Sequence, residues 1–260
     1  MNKKSVTILG ISIWKLFAYF IIYSFIGYII ETLFGIATKG VWESRQSFLY
    51  GPFCGIYGIG AITITLLSRY FNKNKLTLFV GGFLVGSVTE YTISFLVDTI
   101  LHTKWWDYSN RFLNINGRIC LLYSVFWGVL TLLIKIINPK IDILIAKIKD
   151  KISIKKLKLI ILIVIIFLAI DCIATCYAQK QFVNRMIVEN DIEVENKEKV
   201  IENYNKTYNN KVLSDFINTF WNDKKMIRTF PNIKIEDKEY NTVYIDSLLP
   251  NIQPYYKKIF

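Results

Sequence analysis

The chain has 260 residues, of which 53% are hydrophobic and 15% aromatic, and its mean hydropathy is +0.33. These values argue against an ordinary soluble domain and favour a membrane protein. The formal net charge is +12, but the basic excess lies in residues 1–176, where anionic lipid and the positive-inside rule explain it without a nucleic acid partner.

Five apolar windows predict transmembrane helices, because each is near the roughly 20 residues that cross a bilayer as a helix. They cover residues 16–36, 50–67, 76–101, 119–137 and 159–177. No small-residue cleavage site follows the first window, so we expect it to be retained rather than removed as a signal peptide. The predicted fold is an all-α polytopic membrane protein.

The loops predict the orientation of the chain in a cell membrane. Lysine and arginine cluster before the first window, after the second, and between the fourth and fifth. These regions should be cytoplasmic, with loops 38–49 and 102–117 outside. Five spans then place the N-terminus in the cytoplasm and the C-terminal tail outside the cell. A re-entrant segment in place of one span would reverse the side of the tail.

An amphipathic helix is expected over residues 138–157, after the membrane core at 1–137. Asn138 is a suitable N-cap, Pro139 suits the first turn, and isoleucines and leucines recur opposite lysines. Such a basic interfacial helix is either a lipid-bound linker or a docking element for a cytoplasmic partner. A fifth transmembrane helix at 158–177 and a polar, mostly helical tail at 178–260 follow.

The first four spans contain an internal repeat. The segments "GYIIE", "WESRQSFLY" and "GPFCGIY" are followed in the same order by "GSVTE", "WDYSNRFLN" and "GRICLLY". Repeat 1 covers about 16–68 and repeat 2 about 76–137. The two helical hairpins run in the same direction, so we expect parallel repeats related by an axis along the membrane normal.

Small residues share a helix face with acidic residues in the first and third spans. Gly27, Glu31 and Gly35 are spaced by four, and the same spacing continues from Gly82 to Asp98. Small residues let helices approach closely, so each carboxylate should face another helix rather than lipid. The expected helix-packing positions are Gly27, Gly35, Gly51, Gly55, Gly82 and Gly86.

Ionisable residues inside a bilayer are costly and mark functional positions. The polar candidates for a substrate pathway are Glu31, Glu90, Asp98, Arg45, Arg118 and His102. Asp98 and His102 are four apart, but one histidine and one acid specify neither a metal site nor a proton relay. Four aromatic residues, Tyr50, Trp105, Trp106 and Tyr108, fit an interfacial belt. No cofactor or metal is expected, and the four cysteines are expected to be free thiols.

The segments "FIGYIIE", "FLYGPFCGIYGIGA", "GSVTEY", "WWDYS" and "LNINGRICLLYSVFWG" closely resemble the ABC-transporter type IV permease family, the CmpB-like membrane proteins of Firmicutes. The resemblance covers residues 17–137 and implies a multi-pass permease-like component, without catalytic residues that could be carried over. The sequence has no G-x-x-x-x-G-K-[ST] loop, so any ATPase should be a separate subunit.

Three functions remain open from the sequence. The first is the transporter component, of unknown substrate. The second is a membrane-embedded enzyme acting on lipid or an envelope precursor, with Glu31, Glu90, Asp98 and His102 as acid-base candidates and Arg45 or Arg118 binding an anionic head group. The third is a sensor or scaffold whose outer tail recruits partners. The two hairpins close either within one chain or across a homodimer.

Overall fold

The computed structural model describes residues 6–101, 103–239 and 241–260, which are mostly helical. The helices are α1 (Ile13–Lys39), α2 (Gly55–Leu67), α3 (Lys75–Leu101), α4 (Leu121–Lys151), α5 (Ile154–Glu189), α6 (Lys197–Tyr208), α7 (Lys211–Phe220), α8 (Asp223–Thr229) and α9 (Ile245–Leu248). A 3₁₀ turn, Ser68–Tyr70, follows α2.

Short strands form three antiparallel pairs in the described chain. The strands are β1 (Thr7–Ile8), β2 (Ile11–Ser12), β3 (Val41–Glu43), β4 (Lys234–Glu236), β5 (Thr242–Tyr244) and β6 (Tyr255–Lys258). β1 pairs with β2, β4 pairs with β5, and β3 pairs with β6. The last pairing joins the loop after α1 to the C-terminal end of the chain.

Within the described residues, four helices are long and apolar enough to cross a membrane: α1, α3, α4 and α5. The prediction of a multi-pass membrane protein is therefore confirmed, whereas its count of five spans is not. The helix in the second window has 13 residues. At a rise of about 1.5 Å per residue it is about 20 Å long, less than the roughly 30 Å hydrocarbon core.

The predicted start of the second helix was wrong, since α2 begins at Gly55 rather than near Tyr50. Gly51 has a left-handed backbone with φ of +78°, which interrupts a right-handed helix. Cys54 has an extended backbone and occupies the N-cap position. Residues 50–54 are consequently non-helical and lead directly into α2.

The fourth helix continues through the proline that was expected to start a new one. α4 runs to Lys151 with Pro139 inside it, so the amphipathic segment expected over 138–157 is mostly the end of α4. Asn138 does not cap a new helix. Its side chain accepts a hydrogen bond from the Tyr23 hydroxyl at 2.7 Å and donates one to Thr65 at 3.1 Å.

The fifth helix is longer at both ends than the predicted 158–177, because α5 runs from Ile154 to Glu189. The apolar window ends at Tyr177, but buried side chains continue on one face beyond it. Phe182, Met186 and Ile187 are at most 1% exposed. They pack in a second hydrophobic core, and this packing supports a helix that hydropathy alone does not predict.

The chain divides into two compact units. Unit 1 contains residues 1–27, 53–93 and 108–170, and unit 2 contains residues 28–52, 94–107 and 171–260.

In unit 1, α2 packs between α1 and α4, and α4 also packs against α3. Glycines occupy these contacts: a Cβ on Gly27 would lie 2.3 Å from Tyr57, and one on Gly82 would lie 2.0 Å from Thr131. These distances are shorter than any real Cβ contact, so only glycine allows the helices to come this close. Four helices thereby form one bundle.

The core of unit 2 combines the end of α5 with the tail and with the loop after α1. Its buried side chains include Phe182 and Met186 from α5, Ile217 and Ile227 from the tail, and Leu49 from the loop. Leu49 has no exposed surface. The tail therefore does not supply this core alone, which agrees with its small size.

The close contact between α3 and α4 makes a stability prediction. Gly86→Val should lower the melting temperature in detergent, because its Cβ would lie 2.3 Å from the Trp127 ring and overpacking costs about 1 to 3 kcal/mol. The matched control is Val88→Leu, since Val88 is on the same helix and 66% exposed. Equal melting temperatures for the two variants would contradict the packing described here.

Candidate functional site

Glu90 is a buried carboxylate in unit 1. It lies on α3 and is 4% exposed. One carboxylate oxygen accepts a hydrogen bond from the Trp127 indole N–H and the other accepts one from the Tyr108 hydroxyl, both at 3.0 Å. Desolvation of a carboxylate is offset only by such direct partners.

The indole of Trp127 reaches Glu90 because it lies between two glycines. A Cβ on Gly86 of α3 would be 2.3 Å from this ring, and a Cβ on Gly60 of α2 would be 2.5 Å from it. The Tyr57 ring is next to it, with centroids 6.3 Å apart. Any larger side chain at either glycine would displace the indole and its hydrogen bond.

Tyr108 approaches the same carboxylate from the loop between α3 and α4. Its ring stacks on Tyr123 of α4 with centroids 4.5 Å apart, and its hydroxyl donates to Glu90. The sequence predicts Tyr108 in an interfacial belt, and the structure adds a hydrogen bond from its hydroxyl to a buried acid. The hydrogen bond from Trp127 to Glu90 was missed, although a tryptophan in the middle of an apolar window was a usable signal.

Glu31 belongs to an ion-pair cluster in unit 2. An Arg45 Nη lies 4.0 Å from the Glu31 carboxylate and the other lies 2.7 Å from that of Glu43. Lys39 also binds Glu43, at 2.8 Å. A Cβ on Gly35 would be 2.8 Å from the guanidinium, so this glycine is what admits Arg45 against α1. Glu43 and Arg45 therefore pair within the loop after α1.

The loop after α1 is held against α5 by its backbone. The amide N–H of Leu49 donates to the Thr175 hydroxyl at 2.8 Å, and that of Tyr50 donates to Asp171 at 3.1 Å. Gln46 donates to the carbonyls of Phe48 and Leu49. Asp171, itself buried, thus fixes a non-helical segment.

The structure describes most of the other predicted positions. Arg118 has its guanidinium over the Tyr91 ring, 5.9 Å from the centroid. Asp98 is partly exposed on α3, in unit 2. Gly51 makes the left-handed turn and Gly55 is the buried first residue of α2. His102 lies outside the described residues.

The described residues contain no group of three or more histidine, cysteine, aspartate or glutamate side chains placed to hold a metal ion.

A family model described as "Putative ABC-transporter type IV" matches residues 18–176, more than half of the chain. The chain belongs to this family. The match begins in α1 and ends within α5, so it includes Glu90, Trp127 and the Glu31 cluster of this type IV protein, and it excludes the tail. No match was found among curated proteins or among solved structures.

Glu90 should contribute to the stability of the type IV bundle through its two donors. Glu90→Leu should cost about 2 kcal/mol, because it leaves the buried indole N–H and the tyrosine hydroxyl without their acceptor. Glu90→Gln, which keeps one acceptor oxygen, should cost less. Thermal unfolding in detergent measures both. A leucine variant at least as stable as the glutamine variant would show that these hydrogen bonds do not stabilise the bundle.

Arg45 should be needed for the stability of unit 2. Arg45→Met leaves the buried carboxylate of Glu43 with Lys39 and without its closest guanidinium, and breaking a buried pair costs about 3 kcal/mol. The control is Lys197→Met, which breaks ion pairs to the highly exposed Asp191 and Glu193 and should leave the melting temperature unchanged. Equal effects in the two variants would contradict a structural role for the buried cluster.

Proposed function

We propose that this protein is a permease-like membrane subunit of a transport system whose ATPase is a separate protein. Its family and its four candidate membrane helices support a membrane protein of transporter type. The observation that carries the proposal is Glu90, a buried carboxylate on α3 that accepts a hydrogen bond from the Trp127 indole of α4, which lies against two glycines. Intramembrane acids of this kind line substrate or ion pathways.

The pathway, in this proposal, runs through the bundle of unit 1. Trp127 contacts α2 and α3 through Gly60 and Gly86, so a movement of either helix changes the hydrogen bond to Glu90. A rearrangement of packed helices is a common way for transporters to change access. The substrate itself is not specified by these contacts.

Two features support the predicted repeat as part of this proposal. Gly51 and Gly117, which correspond in the two repeats, both have a left-handed backbone, with φ of +78° and +65°. Cys54 and Cys120, three residues later, are both extended N-cap residues of the following helix. The same local conformation thus introduces α2 and α4.

The proposed orientation keeps the N-terminus in the cytoplasm and the tail outside. In this arrangement α2 and the non-helical residues before it complete a fifth crossing. The loop after α1 and the tail share unit 2, where β3 pairs with β6 and Thr103 donates to the Lys234 carbonyl. Both outer loops therefore contact the tail, as expected if all three lie on one side of the membrane.

The docking surface proposed for the ATPase is the basic turn from α4 to α5. Lys147, Lys149 and Lys151 at the end of α4 are exposed, as are Lys155 and Lys156 at the start of α5. An acidic surface on the partner would complement this cluster.

Charge reversal at this turn tests the proposal. The full chain, tagged and expressed in its native host, should copurify an ATPase recognised by its P-loop peptide in mass spectrometry. Substituting Lys147, Lys149 and Lys151 by glutamate should lower ATPase recovery more than about tenfold, because like charges facing each other cost several kcal/mol.

The matched control places the same three substitutions at exposed tail lysines, Lys199, Lys206 and Lys211, where ATPase recovery should stay unchanged. Both proteins are checked for membrane insertion and monodispersity. A well-behaved native protein that captures no ATPase, or equal recovery from both variants, would contradict the proposed function.

A further inference from the structure

Unit 1 contains a cavity of about 310 Å³ at the end where α1 and α3 begin. Its walls come from four helices, with Lys15 and Tyr19 from α1, Thr65 from α2, Leu78 from α3, and Lys135, Asn138 and Asp142 from α4. None of these residues was singled out as a site from the sequence. Neither Glu90 nor the lysines of the docking turn are among its lining residues.

The acid in this cavity, Asp142, already has a hydrogen-bond donor for each of its carboxylate oxygens. One Asp142 oxygen accepts from the Lys15 ammonium at 2.7 Å and the other accepts from the Tyr19 hydroxyl at 2.9 Å. Tyr19 is 1% exposed, so this part of the wall is rigidly packed. The second lysine, Lys135, is exposed and donates to the Asn72 side chain, which is a neutral partner.

The charge balance of the cavity is positive. Two lysines and one carboxylate are the charged groups among its described lining residues. Three lining residues, Ser68, Asn72 and Pro139, are each followed directly in the chain by an exposed cation, namely Arg69, Lys73 and Lys140. These cations add positive charge to this end of the bundle, and Lys135 adds it within the cavity lining.

The level of the cavity along the helices points to the head-group region. Lys15 is in the first turn of α1 and Leu78 is in the first turn of α3, just where their apolar windows begin. Apolar side chains close in sequence to the lining residues Leu78 and Lys135 are exposed: Leu76 is 71% exposed and Ile136 is 57% exposed. A polar cleft beside lipid-facing side chains suits a ligand with an anionic head and acyl chains.

We propose that this cavity binds a phosphate group, with Lys135 and Lys15 as its cationic ligands. Lysine binds phosphate as a compact point charge with three donors, and basic pockets between membrane helices bind anionic lipid head groups. The phosphate is that of an anionic phospholipid or a free phosphate ion, which share the same chemistry at Lys135. This proposal goes beyond the transport role and does not depend on it.

Lipid retention by the full chain tests the proposal. The protein in neutral detergent is given dioleoylphosphatidylglycerol or dioleoylphosphatidylcholine, and bound lipid is counted by native mass spectrometry. Phosphatidylglycerol should be retained preferentially. Lys135→Gln should lower its retention about fivefold, the effect of one lysine at a lipid head group. Asp142→Asn, which removes the negative charge and keeps an acceptor for Tyr19, should raise it.

The matched control is Lys199→Gln, an exposed lysine of the tail that neither lines the cavity nor belongs to the docking turn. It should retain phosphatidylglycerol like the native chain, and the melting temperature of each variant establishes that it is folded. Equal retention of the two lipids, or equal retention by the Lys135 and Lys199 variants, overturns the proposal unless free phosphate is the ligand.

A second arm identifies the source of the phosphate. Millimolar inorganic phosphate is added with and without the lipid, against sodium chloride at equal ionic strength. Phosphatidylglycerol that stays bound identifies a lipid site. A melting temperature raised by phosphate alone, and lost in Lys135→Gln, identifies a free phosphate site. The absence of both effects overturns the proposal.

Discussion

The bundle of unit 1 depends on the position of one indole ring. Trp127 lies between Gly60 and Gly86 and donates its N–H to Glu90. Lipid provides little hydrophobic force between helices, so close packing and buried hydrogen bonds must hold them together. Here both come from the same side chain: the glycines remove the steric barrier, and the carboxylate gives the ring a fixed direction.

In unit 2, hydrogen bonds and packing hold a non-helical segment in place. The backbone of Leu49 and Tyr50 cannot bond within a helix, and Thr175 and Asp171 accept their amide hydrogens instead. The Leu49 side chain is then free to enter the core formed with the tail. Arg45, admitted by Gly35, neutralises buried Glu43 in the same loop. A non-helical segment is tolerated here because protein groups replace water.

Acidic side chains are consequently used in several distinct ways in this protein. Glu90 accepts from an indole and a phenol, Glu43 is paired with cations, and Asp171 accepts backbone amides. Asp142 pairs with Lys15 at the end of the bundle and leaves Lys135 as the exposed cation of its cavity. The structural role of each acid thus depends on its partners rather than on its position within an apolar segment.

The sequence by itself determined the membrane class, the family and the positions of four long apolar helices, because these depend on composition and on local periodicity. It also indicated that Glu31 and Glu90 share helix faces with small residues. Tertiary structure alone decided that α2 is short, that α4 passes through Pro139, and that α5 continues to Glu189. The physical reason is that each of these outcomes rests on contacts between residues far apart in the chain. The hydrogen bond from Trp127 to Glu90 and the insertion of Leu49 into the core that contains Phe182 are examples. Hydropathy specifies neither the partner nor the distance of such a contact.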